Sequence, residues 1–533
     1  MIRSFKYRMD VTLFKWSRKQ SAWLAAMGAV CLLVPAWAQA PAPQYNGTAP
    51  AALPSLGEGS DMTLTAERKI GDRIARELYR DPDYIDDPVL DEYIQSLWKP
   101  LVAGAQARGE LNAELQERFA WQIVLGRDRS VNAFALPGGY MGLHLGLISV
   151  VTSRDELASV MAHELSHVTQ RHIARSMSEQ TRMTPLMIGT MILGILAASK
   201  SPQSAQALIM GGQAAAIRSQ LSFSRDMERE ADRVGYSVMT EAGFDPQGFV
   251  SMFAKLQQAS ALNDNGSFPY LRSHPMSTER MADMQARQQL LTPRPASDKA
   301  DLEHVIMTAR ARILSQPGID LLRSWTREAN DAQLSRQPLA KQVHVLYGAA
   351  LAQWSLREPQ LATHFLTRLT HLVQGDAKAS RLVQLLSAEL AFKSDKLPDA
   401  LRVLAEIPTG TNPRRPELLA QVQALTRLGP SPTLDTGISQ LRAWMQQHPE
   451  DGQAWQVLAA GLMAQGRALQ SLRAEGESQL ARMDYSGAID RFKAAQDASR
   501  KLPLQGADLI EASIVDARLR SVQSLWREQL LER

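Results

Sequence analysis

Apolar positions along this chain fall into runs of different period, and each predicts a different kind of element. Thirteen mostly apolar residues, Ala22 to Val34, follow a basic opening and precede small residues at Ala36, Ala38 and Ala40. A basic stretch, a short apolar run and an A-x-A site make a secretory leader, predicted as residues 1–38. The cut is placed after Ala38 rather than Ala40, since Pro41 would directly follow the second cut. As an uncleaved anchor the run is too short, because about 20 residues are needed to cross a bilayer. Residues 39–60, rich in Pro, Ala and Gly, read as a linker. From Leu64 to about Leu291 the spacing is helical, with one β-prone exception between Trp121 and Val150. There Trp121-Gln122-Ile123-Val124-Leu125 has strand character, and Leu136-Pro137-Gly138-Gly139-Tyr140 is a turn before a second apolar run. Thr292-Pro293-Arg294-Pro295-Ala296-Ser297 punctuates the chain, so residues 61–291 form one predicted domain, 292–299 a linker and 300–533 a second, helical domain.

Within that second domain small residues recur twelve apart, as Ala350/Ala362, Ala388/Ala400 and Gly476/Ala488, the last followed by Phe492 and Ala495. Each pair suits a close crossing of two antiparallel helices. The pairs are offset by 38 and 88 residues, the latter read as two units of 44, and no unit is legible near residue 430. The pattern predicts a degenerate array of tetratricopeptide-type helix pairs, an ordinary helical bundle being the alternative. A charge-free run, Pro185 to Ser199, is too short to span a membrane. It reads as a buried helix, or alternatively as a contact for the membrane surface or a hydrophobic client.

Composition changes the picture in two places. The leader carries Arg3, Lys6, Arg8, Lys15, Arg18 and Lys19 against Asp10, a charge of +5 in a chain whose total is +4. The rest is therefore near −1, which removes any charge argument for nucleic acid. The single cysteine, Cys31, lies in the leader. A mature chain without thiols suits an oxidising compartment, and it excludes disulfides and cysteine catalysis. A soluble periplasmic or secreted protein is expected.

The chemistry concentrates at Met161-Ala162-His163-Glu164-Leu165-Ser166-His167. On a helix, His163 and His167 lie one turn apart on one face, as two imidazoles binding one zinc require, and Glu164 between them can act as a base. This is the H-E-x-x-H signature of zinc peptidases. His172, nine residues after His163, falls on the opposite face of a continuous helix and reads as an exposed helix residue. Glu228 and Asp232, four apart, offer a better third ligand. Glu228 can bind the metal while Asp232 takes the far nitrogen of a ligand histidine, whereas Glu230 points roughly 200° away from Glu228.

His163-Glu164-x-x-His167 followed by Glu228-x-x-x-Asp232 resembles the M48 family of zinc metallopeptidases. Asn132 to Gly139 looks like that family's preceding strand and turn. With the leader, the repeat tail and His274-Pro275-x-x-x-x-Arg280, the chain resembles the family's periplasmic branch, concerned with outer-membrane quality control. The resemblance implies a mainly α fold: a helical gluzincin-type metalloprotease domain with a small β-sheet, followed by an α-helical tetratricopeptide solenoid. It implies one zinc held by His163, His167 and Glu228, with Glu164 as general base and Asp232 as its partner in the catalytic set. In that branch His274 can serve as a regulatory fourth ligand, closing a site that catalysis needs open; a helix-capping histidine is the alternative. The strand around Ala133 is expected to bind substrate backbone, and Arg280 is an oxyanion candidate on charge alone. The implied partners are unfolded or stalled outer-membrane proteins as substrates and the outer-membrane assembly machinery through the repeats. A chaperone or assembly scaffold with a locked zinc site is the competing function.

Overall fold

The computed structural model describes residues 62–178, 223–261, 268–289, 300–408, 414–501 and 506–531. The leader, both linkers and the charge-free run at 185–199 lie outside the described residues. Three helices open the fold: α1 (Leu64–Arg80), α2 (Pro88–Ala107) and α3 (Ala113–Arg118). Thr63, Asp87 and Asn112 cap them, each accepting a backbone N–H from the first turn. The β-prone interval then forms β1 (Gln122–Gly126), β2 (Ala133–Leu136) and β3 (Tyr140–His144), with the Pro137-Gly138-Gly139 turn between the last two. The sheet order is β1-β3-β2, with β1 parallel and β2 antiparallel to β3, so β2 is an edge. The apolar run after the turn is split, since β3 gives way to α4 (Leu145–Val150).

Helix α5 (Arg154–Thr169) carries the H-E-x-x-H residues and is buried from Glu156 to Thr169. It starts at Ser153, whose hydroxyl accepts the Glu156 N–H, and it packs against α2, β2 and two later helices. A short α6 (His172–Ser178) follows. After the undescribed interval come α7 (Arg225–Glu241), α8 (Gln247–Ala261), α9 (Tyr270–Ser273) and α10 (Thr278–Gln289). Contact between α7 and α5 is close at Gly235, where an added Cβ would lie 3.0 Å from the Ala162 carbonyl oxygen. A bulkier residue there would push the two site helices apart.

The tail is helical throughout its described length, and its helices come in pairs. Their first members begin at residues 302, 339, 377, 415, 452 and 485, a spacing of 33–38 residues. That period corrects the 44-residue unit expected from the offset of 88. Ala350/Ala362 and Ala388/Ala400 join the two helices of one pair, Leu339–Ser355 with Pro359–Val373 and Ala377–Lys393 with Leu397–Glu406. Gly476/Ala488 instead joins the second helix of one pair, Ala468–Ala481, to the first of the next, Tyr485–Lys501. The pair at 415–447 was illegible because its close contact is made elsewhere: Gly437 abuts Val422, where an added Cβ would lie 2.8 Å away.

A single hydrophobic core joins the two halves, running from Ile85 through α5 to Ile407. The helix Leu302–Leu314 packs on α4 and α2, and Arg415–Leu428 also reaches α2. Three buried or nearly buried arginines from the tail grip the start of α2: Arg310 on Asp87, Arg381 on Glu92 and Arg415 on Asp86. His304 adds a polar pin, its Nδ1 2.6 Å from the Tyr93 hydroxyl and its Nε2 3.2 Å from the Val151 carbonyl. Burial pushes the His304 pKa below its ordinary value, so the ring is neutral in the fold. The unfolded chain takes up a proton that the fold refuses. Stability is therefore fully present above the ordinary histidine pKa of about 6.5 and falls as pH drops below it. We expect His304→Asn to flatten this slope in denaturant titrations between pH 7.5 and 5.5; an unchanged slope would remove His304 as its source.

Candidate metal centre

Helix α5, the helix Arg225–Glu241 and the loop after Ser273 bring four side chains to one buried point. His163, His167, Glu228 and His274 each offer a ligand atom within 4.8 Å of the others. The two Nε2 atoms of His163 and His167 are 3.0 Å apart, and Glu228 lies 3.5 Å from each. Nδ1 of His274 is 3.2 Å from His163 Nε2 and 2.9 Å from Glu228 Oε1. Four donors at about 2.0–2.1 Å from one zinc stand about 3.3 Å apart on tetrahedral edges, so this donor set fits zinc in both type and spacing. All four residues are at most 2% exposed, a burial that such a cluster of nitrogens and carboxylate does not sustain without strong partners.

The sequence sets Asp232 behind one of the ligand histidines without saying which; it is His163, whose Nδ1 lies 3.0 Å from Asp232 Oδ1. Burial alone would lower the His163 pKa, but Asp232 and Glu228 outweigh it and hold the ring at about 10. Burial likewise pushes the Glu228 carboxyl up, yet His274 and His163 keep it well below the usual carboxylate range. Glu164 accepts the Ala135 N–H through Oε2 at 2.8 Å, on the edge strand β2. Its Oε1 has no hydrogen-bond partner and lies 3.3 Å from His274 Nε2.

Two expectations are corrected. Arg280 does not face an oxyanion position. Its guanidinium makes a bidentate pair with Asp232 at 2.6 and 2.8 Å, sits 2.8 Å from Glu228 Oε2 and donates to the Pro275 carbonyl. It ties the His274 loop to the carboxylates behind the cluster. His172 is not an exposed helix residue but is fully buried. Helix α5 ends at Thr169, and Arg171 adopts the left-handed conformation at φ 52°, so α6 leaves in a new direction. His172 then comes back against His167, their Nδ1 atoms 2.8 Å apart, with Glu230 on its far side at 3.0 Å. Burial lowers the His172 pKa, and Glu230 opposes this only in part. Other neighbours were not singled out from sequence. Phe223 stacks on His167 at 3.9 Å between ring centroids, and Tyr270 stacks on His274 at 4.6 Å.

Comparison with known proteins adds four observations. Residues 90–288 match the model of peptidase family M48. The chain is similar to a beta-barrel assembly-enhancing protease of Yersinia pestis, 29% identical over 490 residues, covering 89% of this chain and 92% of the relative. A protein of the same name from Escherichia coli K12 is 34% identical over 284 residues, which span only 55% of its own length and 52% of this chain. The mitochondrial metalloendopeptidase OMA1 of Arabidopsis thaliana is 29% identical over 236 residues, 42% of each chain.

Proposed function

We propose, from the match of residues 90–288 to peptidase family M48, a zinc metalloendopeptidase of the periplasm that degrades misfolded or stalled outer-membrane proteins. One observation carries the reading: four buried zinc-type donors converge beside a carboxylate that is itself free on one oxygen. In this reading His163, His167 and Glu228 hold the metal. Zinc bound there would polarise the scissile carbonyl and make water acidic enough to attack near neutral pH. Glu164 Oε1 is placed to take the proton of an attacking water and would return it to the leaving amine. Asp232, braced by Arg280, keeps His163 turned towards the metal. The outer edge of β2 offers backbone groups to an extended client, which would add as a strand beside Glu164. Outer-membrane assembly is drawn from the names of the relatives, and partner binding through the tetratricopeptide-type tail from its paired helices. The leader is the basis for the periplasm, and no described helix is long and apolar enough to cross a membrane.

His274 is the regulatory element of this proposal. It supplies a fourth donor and at the same time faces the base, while Glu164 Oε2 occupies the Ala135 N–H that an incoming strand would use. The arrangement is closed by its own residues, and a client or partner must displace the His274 loop to open it. We expect His274→Ala to cleave an unfolded β-barrel client faster than wild type. It should also lose zinc to a chelator at least as readily as loss of an outer-shell partner dictates, roughly tenfold. Unchanged cleavage together with unchanged zinc loss would end the gating reading. If chelation left wild-type cleavage intact, or if zinc added back did not restore cleavage lost to the chelator, the metallopeptidase reading itself would end.

A further inference from the structure

His163 and His167 are backed by different groups. Behind His163 stands a carboxylate, Asp232; behind His167 stands another imidazole. Two imidazole nitrogens 2.8 Å apart must share one proton, with one ring donating and the other accepting. The far nitrogen of His172 settles which. It lies 3.0 Å from Glu230 Oε2, and an ionised carboxylate only accepts, so His172 Nε2 carries the hydrogen and its Nδ1 is bare. The proton between the rings then belongs to His167 Nδ1, which leaves His167 Nε2 unprotonated and directed at His163 Nε2 and Glu228. Arg175 holds Glu230 in place, its Nη1 2.8 Å from the same oxygen.

The turn that delivers His172 is anchored separately. Arg171, in its left-handed conformation, pairs with the buried Glu67 at 2.9 Å and also donates to the Met62 carbonyl. The backbone strain of a non-glycine residue there is thus compensated by a contact from the start of α1.

We propose that His172, oriented by Glu230, is a positioning residue for zinc binding: it accepts the His167 Nδ1–H and presents the opposite nitrogen to the metal. The inference rests on the zinc reading above. It adds a second outer-shell relay, His167–His172–Glu230, to the one formed by His163, Asp232 and Arg280. The two relays approach the metal from different elements, so His172 ties the geometry of α6 to ligand quality on α5.

Chelator competition on the purified full chain, paired with thermal melts of the zinc-free protein, tests this. His172→Phe keeps the ring volume but removes the acceptor. Its zinc affinity is expected to fall about 10- to 100-fold, the usual cost of losing an outer-shell partner, while the zinc-free melting temperature does not fall. His172→Asn can return an acceptor oxygen near the Nδ1 position, and it should recover most of the loss. Glu230→Ala, changed at a partly exposed site, should weaken zinc binding without unfolding the protein, and it carries the test with His172→Asn if the Phe variant does not fold. Zinc affinity equal to wild type in His172→Phe, or in Glu230→Ala where that variant stands in, would overturn the relay. A wild-type protein that binds no zinc would overturn the metal reading and the relay with it.

Discussion

Glu164→Gln is expected to slow cleavage of an unfolded β-barrel client by about 10²- to 10⁴-fold while leaving zinc content and melting temperature near wild type. The size follows from what the substitution removes. A glutamine matches the shape of Glu164 and can still accept the Ala135 N–H through its amide oxygen, so the link to β2 survives. What it cannot do is take a proton. Because Glu164 is not among the four converging donors, the metal should stay. The experiment needs single-turnover cleavage rates and elemental analysis of the same preparations. Cleavage at the wild-type rate would remove Glu164 as the base. Loss of zinc along with activity would make Glu164 a ligand instead. The same variant separates protease from scaffold: client binding should persist in Glu164→Gln, and if only cleavage disappears, the two functions are separable in one chain.

Arg310→Met should cost about 3–5 kcal/mol of stability, because it strips the cation from the buried Asp87 and leaves the part-buried Glu389 with Lys393 alone. Arg310 is 3% exposed, bonds Asp87 through two nitrogens at 2.8 and 2.6 Å, and reaches Glu389 at 2.9 Å and the Tyr347 hydroxyl at 3.2 Å. Burial would push the Glu389 carboxyl up, but Arg310 and Lys393 outweigh it and hold it at about 2. Asp87 also caps α2 by accepting the Leu90 N–H, so the lost guanidinium is felt at a helix start. By contrast the exposed pair Arg402–Glu406 should contribute no more than about 0.5 kcal/mol. Denaturant unfolding measures both. Adding Asp87→Asn and Glu389→Gln to the Met variant should recover much of the loss, since the orphaned charges are then gone. A loss below about 1 kcal/mol for Arg310→Met alone would mean that the junction between the two halves does not depend on this cluster.

Legibility from sequence followed the reach of local geometry. His163, Glu164 and His167, and likewise Glu228 and Asp232, sit on uninterrupted helices, where 3.6 residues per turn fixes which side chains share a face. His274 was found through a short motif, and the structure brings it to the same point. His172 escapes a helical count for the opposite reason: at Arg171 the backbone turns left-handed without a glycine to announce it. The edge position of β2 depends on β3 pairing with both other strands, which the strand-like runs alone do not specify. The charge of Arg280 alone does not reveal its role, because its partners Asp232 and Glu228 lie about fifty residues upstream. No local pattern sets Asp86, Asp87 and Glu92 apart, since their arginines come 223 to 329 residues later. In the tail, small residues twelve apart marked close helix crossings correctly, but they could not distinguish crossings within a pair from crossings between pairs.

The central claim is that His163, His167 and Glu228 together hold one zinc. Anomalous diffraction at the zinc edge, collected on crystals of the full chain carrying Glu164→Gln, tests it most directly. One peak per chain is expected, about 2.0–2.2 Å from Nε2 of both histidines and from a Glu228 oxygen. A peak away from these three residues, or none in crystals soaked with zinc, would contradict it.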